Sequence, residues 1–472
     1  MTASVLRHHE GVRIIGEGRH EVDAAPLAHL QRIAQEDGLL AAPAVVLPDF
    51  HHKKKQEMPS SVAVATTRHL VPHFTASSVN CGMALLATGL RVDDLSPRLL
   101  DGFLQAVKER APYPMPKRPV LSRREVFRAA REGAAFAIER YGLDPSEIAA
   151  VEHRGRIELE EGTDERILRR FAPRLSAEAS RFRFGGVGPG NHFIEVQVCT
   201  EILDATAAAS MGVQEGMVCV EYHGGGGVWA GEMGRLFVPR KKTSLPRRLR
   251  TGVLKAAMHA SPDPSVLKQR WELYFHNIRH AIDVDSAEGR RVWMSYGTAM
   301  NYGFAYRIAS YQVIREALTQ AWGAPVNTRL VYDSPHNSIY KELVAEQIAF
   351  VHRHNAARVV GPGVLADHPL GQPVLVPGTN RTSSYLCIGE VGSAVSLNSA
   401  SHGAGTLVDA AVKAGTAGAS PERGTRRHRY NSSTVDVVPH VGDGGIDLAI
   451  DIMREAGILR PVARFTPVAG LT

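Results

Sequence analysis

Five short segments carrying metal-binding or amide side chains constrain this chain most, because they lie far apart between positions 81 and 402. They are rich in glycine or asparagine and contain Cys81, Asn191, His192, His223, His336, Asn337 and His402. Thiolate and imidazole groups suit zinc, manganese, iron or cobalt rather than calcium or magnesium. Their wide spacing requires a site assembled by the whole fold, unlike a locally clipped zinc ribbon. We therefore expect a metal-dependent enzyme.

Size and composition describe an ordinary soluble globular protein, long enough for a large core. The chain has 472 residues, of which 44% are hydrophobic and 22% charged. It has no apolar run of membrane-spanning length, and its first residues, MTASVLRHHEGVRI, lack the apolar stretch of a signal peptide. Four irregularly spaced cysteines argue against a disulfide framework. We expect a cytoplasmic protein with no membrane partner.

Helical and extended patterns alternate along the sequence. Helices are predicted at 23–37, 122–141, 300–318 and 446–459, and strands at 44–47, 195–199, 217–222 and 462–468. Ser122 and Glu125 form a capping box for the second helix. The polar segment 416–434 is predicted to be an exposed, mobile loop. Without a clean linker, this pattern favours an α+β or α/β protein with one large domain, residues 1–472.

The histidine motifs differ in their local settings. His223 ends a strand before four glycines, whose backbone N–H groups can form an anion-binding nest. His336 and Asn337 follow a proline turn, predicted to precede a helix. His402 comes directly before Gly-Ala-Gly and a helical run, so a phosphate could lie at that helix N-terminus. Any one of these histidines, taken alone, favours a structural or solvated role over a functional one.

Two basic clusters stand out from the mild net charge of +7. HHKKK at 51–55 contains Lys53, Lys54 and Lys55, and the segment Arg240 to Arg250 carries six cations in eleven residues. Such clusters can neutralise phosphates, although a solvated loop is the alternative for each.

The motifs NCGM, GNHFIE, EYHGGGG, PHNS, GQPVLVPGTNRTSSY and SHGAG, in this order, resemble the RtcB family of RNA ligases. The resemblance extends from about Val45 to the C-terminus. It implies one α+β domain, with several β-sheets wrapped by helices around a central metal-binding cleft. It also implies an RNA ligase that uses GTP and one or two Mn²⁺ ions in tRNA splicing or RNA repair. Such ligases join 3′-phosphate or 2′,3′-cyclic phosphate ends of RNA to 5′-hydroxyl ends.

Roles for individual residues follow from this resemblance. His402 is the expected nucleophile that becomes guanylylated, and Asp49 is expected to orient it. The implied metal ligands are Cys81, His192, His223 and His336. The implied nucleotide-binding residues are Asn191, His192, Glu195, His336, Asn337, Pro377, Gly378, Thr379, Asn380, Ser384, His402, Gly403, Ala404 and Gly405.

The sequence also departs from the family pattern around these sites. Ser78 stands where the family has a metal-binding aspartate, and Thr406 replaces an arginine. His354 and Asn355 replace a lysine and a glycine, the HSGSRG-type motif reads HGGGGV, and the terminal lysine is absent. A divergent ligase fits best. The alternatives are a metal-dependent phosphoesterase or nucleotidyltransferase that acts on RNA ends without sealing them, and a non-catalytic RNA-binding relative.

Overall fold

The computed structural model describes residues 6–36, 38–53, 58–113, 118–171, 174–187, 191–238, 244–276 and 279–472. The strands are β1 (Leu6–His9), β2 (Val12–Ile15), β3 (Ala44–His51), β4 (Ser60–Thr66), β5 (His69–Leu70), β6 (Gly82–Arg91), β7 (Phe193–Ile202), β8 (Met217–Gly224), β9 (Ile282–Asp283), β10 (Thr328–Pro335), β11 (Asn337–Val344), β12 (Gln347–His354), β13 (Ala356–Arg358), β14 (Pro373–Val376), β15 (Ser384–Gly389), β16 (Ser399–Ser401), β17 (Ala419–His428), β18 (Asp436–Val441) and β19 (Leu459–Leu471). The helices are α1 (Ala24–Ala34), α2 (Pro97–Arg110), α3 (Arg123–Glu132), α4 (Ala134–Tyr141), α5 (Glu165–Leu168), α6 (Arg174–Ser180), α7 (Ala205–Ser210), α8 (Gly227–Phe237), α9 (Leu245–His259), α10 (Pro264–Phe275), α11 (Ala287–Trp322), α12 (Gly405–Ala414) and α13 (Gly444–Glu455).

Two mixed β-sheets organise the molecule. In the described part of the chain, one sheet has the strand order β1-β2-β3-β4-β12-β11. The other has the order β10-β6-β8-β7-β19-β15-β14, and β17 and β18 extend it from β19. Together with the helices, these sheets confirm the α+β class. The extent of the single domain, residues 1–472, stays a prediction.

Helix α11 forms the helical side of the main core. It begins at the N-cap Ser286, whose side chain accepts from the N–H of Gly289, and it ends at Gly323 in the left-handed conformation. Most of its side chains are buried on every face, as expected of a helix packed within a core. It packs against α2, α3, α4 and α8, and so fixes α8 beside the sheet that contains β6 and β8.

The helix predicted at 122–141 and the helix predicted after His336 and Asn337 differ in the structure. The helix expected at 122–141 has its predicted capping box, but it divides into α3 and α4 at Gly133, where φ is 63°. A side chain at this position would collide with the backbone of Gly155, since an added Cβ would lie 2.0 Å from its carbonyl oxygen. The sequence between Pro335 and Asn337 joins strands β10 and β11 rather than preceding a helix.

The segment 416–434, predicted to be an exposed, mobile loop, contains a strand in its central part. Its residues 419–428 form strand β17, which pairs antiparallel with β18 and parallel with β19. Thr425 within it is fully buried, and its hydroxyl lies 2.8 Å from Nε2 of His440. The polar composition of this segment is therefore that of a strand near the edge of the sheet.

None of the helices in the described ranges is long and apolar enough to cross a bilayer.

Candidate metal and nucleotide site

Three predicted ligands form a compact cluster. Sγ of Cys81 lies 3.2 Å from Nε2 of His192 and 3.2 Å from Nε2 of His223. The three ligand atoms all lie within 4.8 Å of one another. A tetrahedral zinc-type site, with bonds of about 2.3 Å to sulfur and about 2.0 Å to nitrogen, separates S and N by about 3.6 Å. The cluster therefore has nearly the spacing that a bound ion requires.

Strand register brings these ligands together. In the antiparallel ladders, Gly82 of β6 pairs with Gly224 of β8, and Phe193 of β7 pairs with His223. Cys81 directly precedes β6 and His192 directly precedes β7, so all three ligands meet at one end of three neighbouring strands. The long sequence separation is thus bridged by two strand pairings.

The glycines after His223 leave room for the histidine ring of His192. A Cβ at Gly225 would lie 2.9 Å from Cε1 of His192, and one at Gly226 would lie 2.5 Å from the carbonyl oxygen of Val79. A side chain at Gly225 would push the imidazole of His192 away from Cys81, whereas one at Gly226 would collide with the backbone at Val79. The HGGGGV sequence therefore keeps His192 within reach of the cluster.

The protonation states fit a metal site. Burial, and then the neighbouring His192, hold the pKa of His223 well below its usual range, so its ring is neutral. Nδ1 of His223 is 3.0 Å from the carbonyl oxygen of Asn191, an arrangement in which N–H donation leaves Nε2 free for a ligand. Burial raises the pKa of the Cys81 thiol to about 12, and a bound cation would reverse this by stabilising the thiolate. The donor set of one thiolate and two imidazoles fits a divalent transition-metal ion rather than Ca²⁺ or Mg²⁺.

His336 lies beside this cluster rather than within it. Its ring centroid is 4.9 Å from that of His223 and 4.2 Å from that of His402. Its backbone N–H donates to the carbonyl of Cys81 at 2.8 Å, which ties β11 to the cysteine. The grouping of three ligands does not include His336, so its role as a ligand stays a prediction.

The hydroxyl of Ser78 is held by the side-chain amide of Asn337. Nδ2 of Asn337 donates to Oγ of Ser78 at 3.2 Å, while Oδ1 of Asn337 accepts from the N–H of Asn355 at 2.9 Å. Asn337 is buried and thereby joins three loops at the site. A neutral hydroxyl held in this way is a poor metal ligand compared with a carboxylate.

His402 lies between the metal cluster and the N-terminus of α12. Its centroid is 6.1 Å from that of His223, and its buried Nδ1 has no hydrogen-bond partner among the described residues. Burial lowers the pKa of His402 to about 4, against the opposing attraction of Asp49. His402 is therefore neutral near pH 7, with an available lone pair.

Asp49 caps helix α12 from outside. Its Oδ1 accepts from the N–H of Thr406 at 2.9 Å and from the hydroxyl of Thr406 at 2.6 Å. A carboxylate at this position also complements the positive end of the helix. No direct hydrogen bond between Asp49 and His402 occurs in the described part of the chain, and the orienting role of Asp49 stays a prediction.

The predicted nucleotide-binding residues lie along two adjoining loops. Ala404 is the N-cap of α12, and an added Cβ at Gly405 would meet no atom within 4 Å, so space is open at the helix start. An added Cβ at Gly403 would lie 3.5 Å from the carbonyl oxygen of Pro377, which places the two loops side by side. The N–H of Gly378 donates to Oγ of Ser384 at 3.2 Å.

The rest of these residues lie close by. Thr379 donates through its N–H to Thr382 at 2.8 Å, and Asn380 follows it, partly buried. Asn191 is exposed, while its carbonyl supports His223.

The sequence predicted only one of the two carboxylates in a buried pair at this site. Nε2 of Gln197 lies 2.9 Å from Oε2 of Glu195, 2.6 Å from Oε2 of Glu221 and 3.3 Å from Oγ of Ser384. Sequence reasoning named Glu195 and Ser384 but missed Gln197 and Glu221. A signal existed, because Glu221 precedes His223 by two positions on a strand and so shares its face.

Arg307, on α11, was also missed. It is fully buried with Asp333 and donates to both carboxylate oxygens, at 3.0 and 2.8 Å from Nε and 2.5 Å from Nη2. Nη1 donates to the backbone carbonyl and side-chain oxygen of Asn80, next to Cys81. Nothing local in a helical stretch predicts this contact.

The basic residues are only partly described. Lys54, Lys55 and the segment 239–243 lie outside the described residues. Lys53 is partly buried, and burial lowers its pKa, while Asp49 opposes that effect. His354 is fully buried, and neither of its ring nitrogens has a hydrogen-bond partner in the described ranges.

This chain resembles known proteins over most of its length. Residues 29–471 match the protein family described as tRNA-splicing ligase RtcB. The tRNA-splicing ligase RtcB of Archaeoglobus fulgidus is 27% identical, over 92% of this chain and 88% of that protein. The RNA-splicing ligase RtcB of Mycobacterium tuberculosis is 28% identical, over 84% of this chain and 88% of that protein. The tRNA-splicing ligase RtcB of Methanopyrus kandleri is 28% identical over 85% of this chain, and the match spans only 42% of that longer protein. The chain belongs to the RtcB family.

Proposed function

We propose that this protein is an RNA ligase that joins RNA 3′-phosphate or 2′,3′-cyclic phosphate ends to 5′-hydroxyl ends through a guanylylated His402. The names of the relatives, tRNA-splicing and RNA-splicing ligases, support RNA as the substrate. A role in tRNA splicing or RNA repair, in the cytoplasm, belongs to the same proposal.

The position of His402 carries the proposal. Its ring adjoins His336 at 4.2 Å, its loop leads into the N-terminus of α12, and Asp49 lies at the same helix start. A neutral imidazole beside a helix N-terminus suits attack on a phosphate, whose charge the helix end stabilises. Asp49 would offset the positive charge that develops on the ring during attack.

The chemistry proceeds in three balanced steps. A His402 nitrogen forms a bond to the α-phosphorus of GTP, and pyrophosphate leaves. The 3′-phosphate oxygen of the RNA then attacks the same phosphorus, takes the guanylyl group and frees His402. Finally, the 5′-hydroxyl attacks the 3′-phosphorus, loses its proton and expels GMP. A cyclic end is first opened by water to the 3′-phosphate.

Cys81, His192 and His223 would hold one Mn²⁺, with His336 as the further predicted ligand. A bound Mn²⁺ would supply Lewis-acid stabilisation of charge on the phosphoryl oxygens. The chain's own contribution is a set of neutral imidazoles and a cysteine fixed by strand pairing.

Labelling tests the proposal directly. The protein is incubated with α-labelled GTP and Mn²⁺, denatured and separated on a gel, alongside His402→Ala. A band in the wild type that is absent from the variant, followed by strand joining of a 3′-phosphate RNA, supports the ligase. Absence of a band with Mn²⁺, Co²⁺ and Zn²⁺ contradicts it.

The second candidate is an end-processing phosphoesterase or nucleotidyltransferase that does not seal strands. The hydrogen bond of Ser78 to Asn337, in place of a carboxylate ligand, favours it, because this leaves fewer metal ligands around His402. Release of phosphate or opening of a cyclic end without any labelled protein would support this candidate.

A further inference from the structure

Two buried glutamates face each other across neighbouring strands. Glu195 of β7 and Glu221 of β8 are direct partners in the antiparallel register and are 5% and 1% exposed. Like charges directly opposite on a sheet destabilise it. Buried carboxylates also require hydrogen-bond donors, so such a pair needs a reason beyond packing.

The described residues supply too few hydrogen-bond donors for this pair. The Gln197 amide nitrogen is shared between both carboxylates and Ser384. Oε1 of Glu221 and Oε1 of Gln197 are buried and have no hydrogen-bond partner among the described residues. Two unmatched acceptors on side chains that are hydrogen-bonded to each other call for a ligand that presents adjacent N–H donors.

A chain of contacts connects these acceptors to His402. Ser384, which contacts Gln197, also accepts from the N–H of Gly378, and the adjacent Pro377 lies against Gly403. A nucleotide whose phosphates meet His402 could therefore place its base at the glutamates. The Watson–Crick edge of guanine carries two adjacent donors, the ring N1–H and the 2-amino group.

We propose that Glu221 is a further specificity-determining residue of the nucleotide site and accepts a hydrogen bond from the donor edge of guanine. It acts beside Glu195, from the neighbouring strand. The inference rests on the proposed function, which brings a guanine nucleotide to His402. No sequence motif assigned Glu221 a role.

Calorimetric titration with GMP and with inosine monophosphate tests this, because inosine lacks the 2-amino group and neither compound reacts. We expect the wild-type protein to bind GMP up to about tenfold more tightly than inosine monophosphate, as for one additional hydrogen bond. In Glu221→Gln this ratio should fall close to one. Glu221→Met, which removes both carboxylate oxygens of this residue, should lower the ratio in the same way.

Glu152→Gln is the matched control, since Glu152 is also buried and also receives a glutamine amide, from Gln372 at 2.9 Å. It should keep the wild-type ratio. Thermal unfolding and Co²⁺ absorption of each variant establish that it is folded with an intact cluster.

The two proposals fail separately. If the wild type binds GMP and Glu221→Gln keeps the preference, the role of Glu221 is overturned while the ligase proposal stands. If the wild type binds GMP and inosine monophosphate equally, the donor-edge assignment is likewise overturned. If it binds neither, the guanine site itself is wrong, and the inference falls with it.

Discussion

Thr406 donates two hydrogen bonds to the same carboxylate oxygen of Asp49, from its backbone N–H at 2.9 Å and from its hydroxyl at 2.6 Å. Thr406 occupies the position of a family arginine. Here the short threonine side chain, rather than a longer arginine side chain, holds the carboxylate of Asp49. The pair joins β3 to the start of α12, and His402 lies on the short loop between β16 and α12.

Removing this hydroxyl should impair guanylylation. We expect Thr406→Val to slow labelling of the protein by GTP by about tenfold or more, because a hydrogen bond to a charged group contributes about 1.5–3 kcal/mol. The rate of labelled-protein formation at saturating GTP measures this.

Thr406→Ser keeps the hydroxyl and is the matched control, with a rate near that of the wild type. Equal rates in Thr406→Val and Thr406→Ser would mean that the hydrogen bond from the Thr406 hydroxyl to Asp49 does not contribute to guanylylation.

Loss of the cysteine ligand should abolish metal binding. Cys81→Ala removes the atom that both His192 and His223 approach at 3.2 Å, so we expect the Co²⁺ complex to lose its sulfur-to-metal absorption band. Cys387→Ala, at a buried cysteine in β15, should keep the band. Equal metal content in Cys81→Ala and the wild type would exclude Cys81 as a ligand.

Local patterns predicted the elements that support the site. The strands carrying Glu195 and His223 and the helix after His402 lie where periodicity and glycine signals placed them. These signals depend only on residues close together in the sequence, so they can be recognised without knowledge of the fold.

Features set by distant contacts were not predictable in this way. The break at Gly133 depends on Gly155 approaching it, and the Arg307 contact with Asn80 depends on α11 packing beside β6. The ligand roles came from resemblance, and only strand register explains how Cys81 meets His223.

Stability should depend on pH through Glu152. Burial raises the pKa of this carboxyl to about 7, from an ordinary value of 4.5, against the attraction of Arg358. Between these values the unfolded chain releases the proton and the folded protein keeps it, so this carboxyl lowers stability as pH rises from 4.5 to 7. The full effect is about 3 kcal/mol.

Urea unfolding of metal-free protein at pH 4.5 and pH 8 measures this change. The loss of unfolding free energy between the two should be smaller in Glu152→Gln than in the wild type, whereas the exposed Glu109→Gln should match the wild type. An unchanged pH dependence in Glu152→Gln would mean that Glu152 is ionised in the folded protein.

Charge reversal on α9 should weaken RNA binding. Arg248 is exposed, whereas Arg250 donates to Glu232, so Arg248 is the freer cation of the two for a phosphate. For Arg248→Glu we expect lower affinity and a salt dependence flatter by about one unit of slope. Fluorescence anisotropy of labelled RNA at several salt concentrations measures both, with Arg166→Glu, an exposed arginine of α5, as control. Unchanged affinity and slope would place the RNA elsewhere.

Restoring a carboxylate at position 78 should add a metal site. Oγ of Ser78 now accepts from Nδ2 of Asn337, which lies next to His336, and the ring of His336 is 4.9 Å from that of His223. An aspartate here would offer an anionic oxygen beside Asn337, the neighbour of His336, and this is the ligand type a second Mn²⁺ needs. We expect Ser78→Asp to bind more Mn²⁺ per chain than the wild type in equilibrium dialysis, while Ser78→Ala does not. The same stoichiometry in all three proteins would mean that residue 78 does not limit the number of ions.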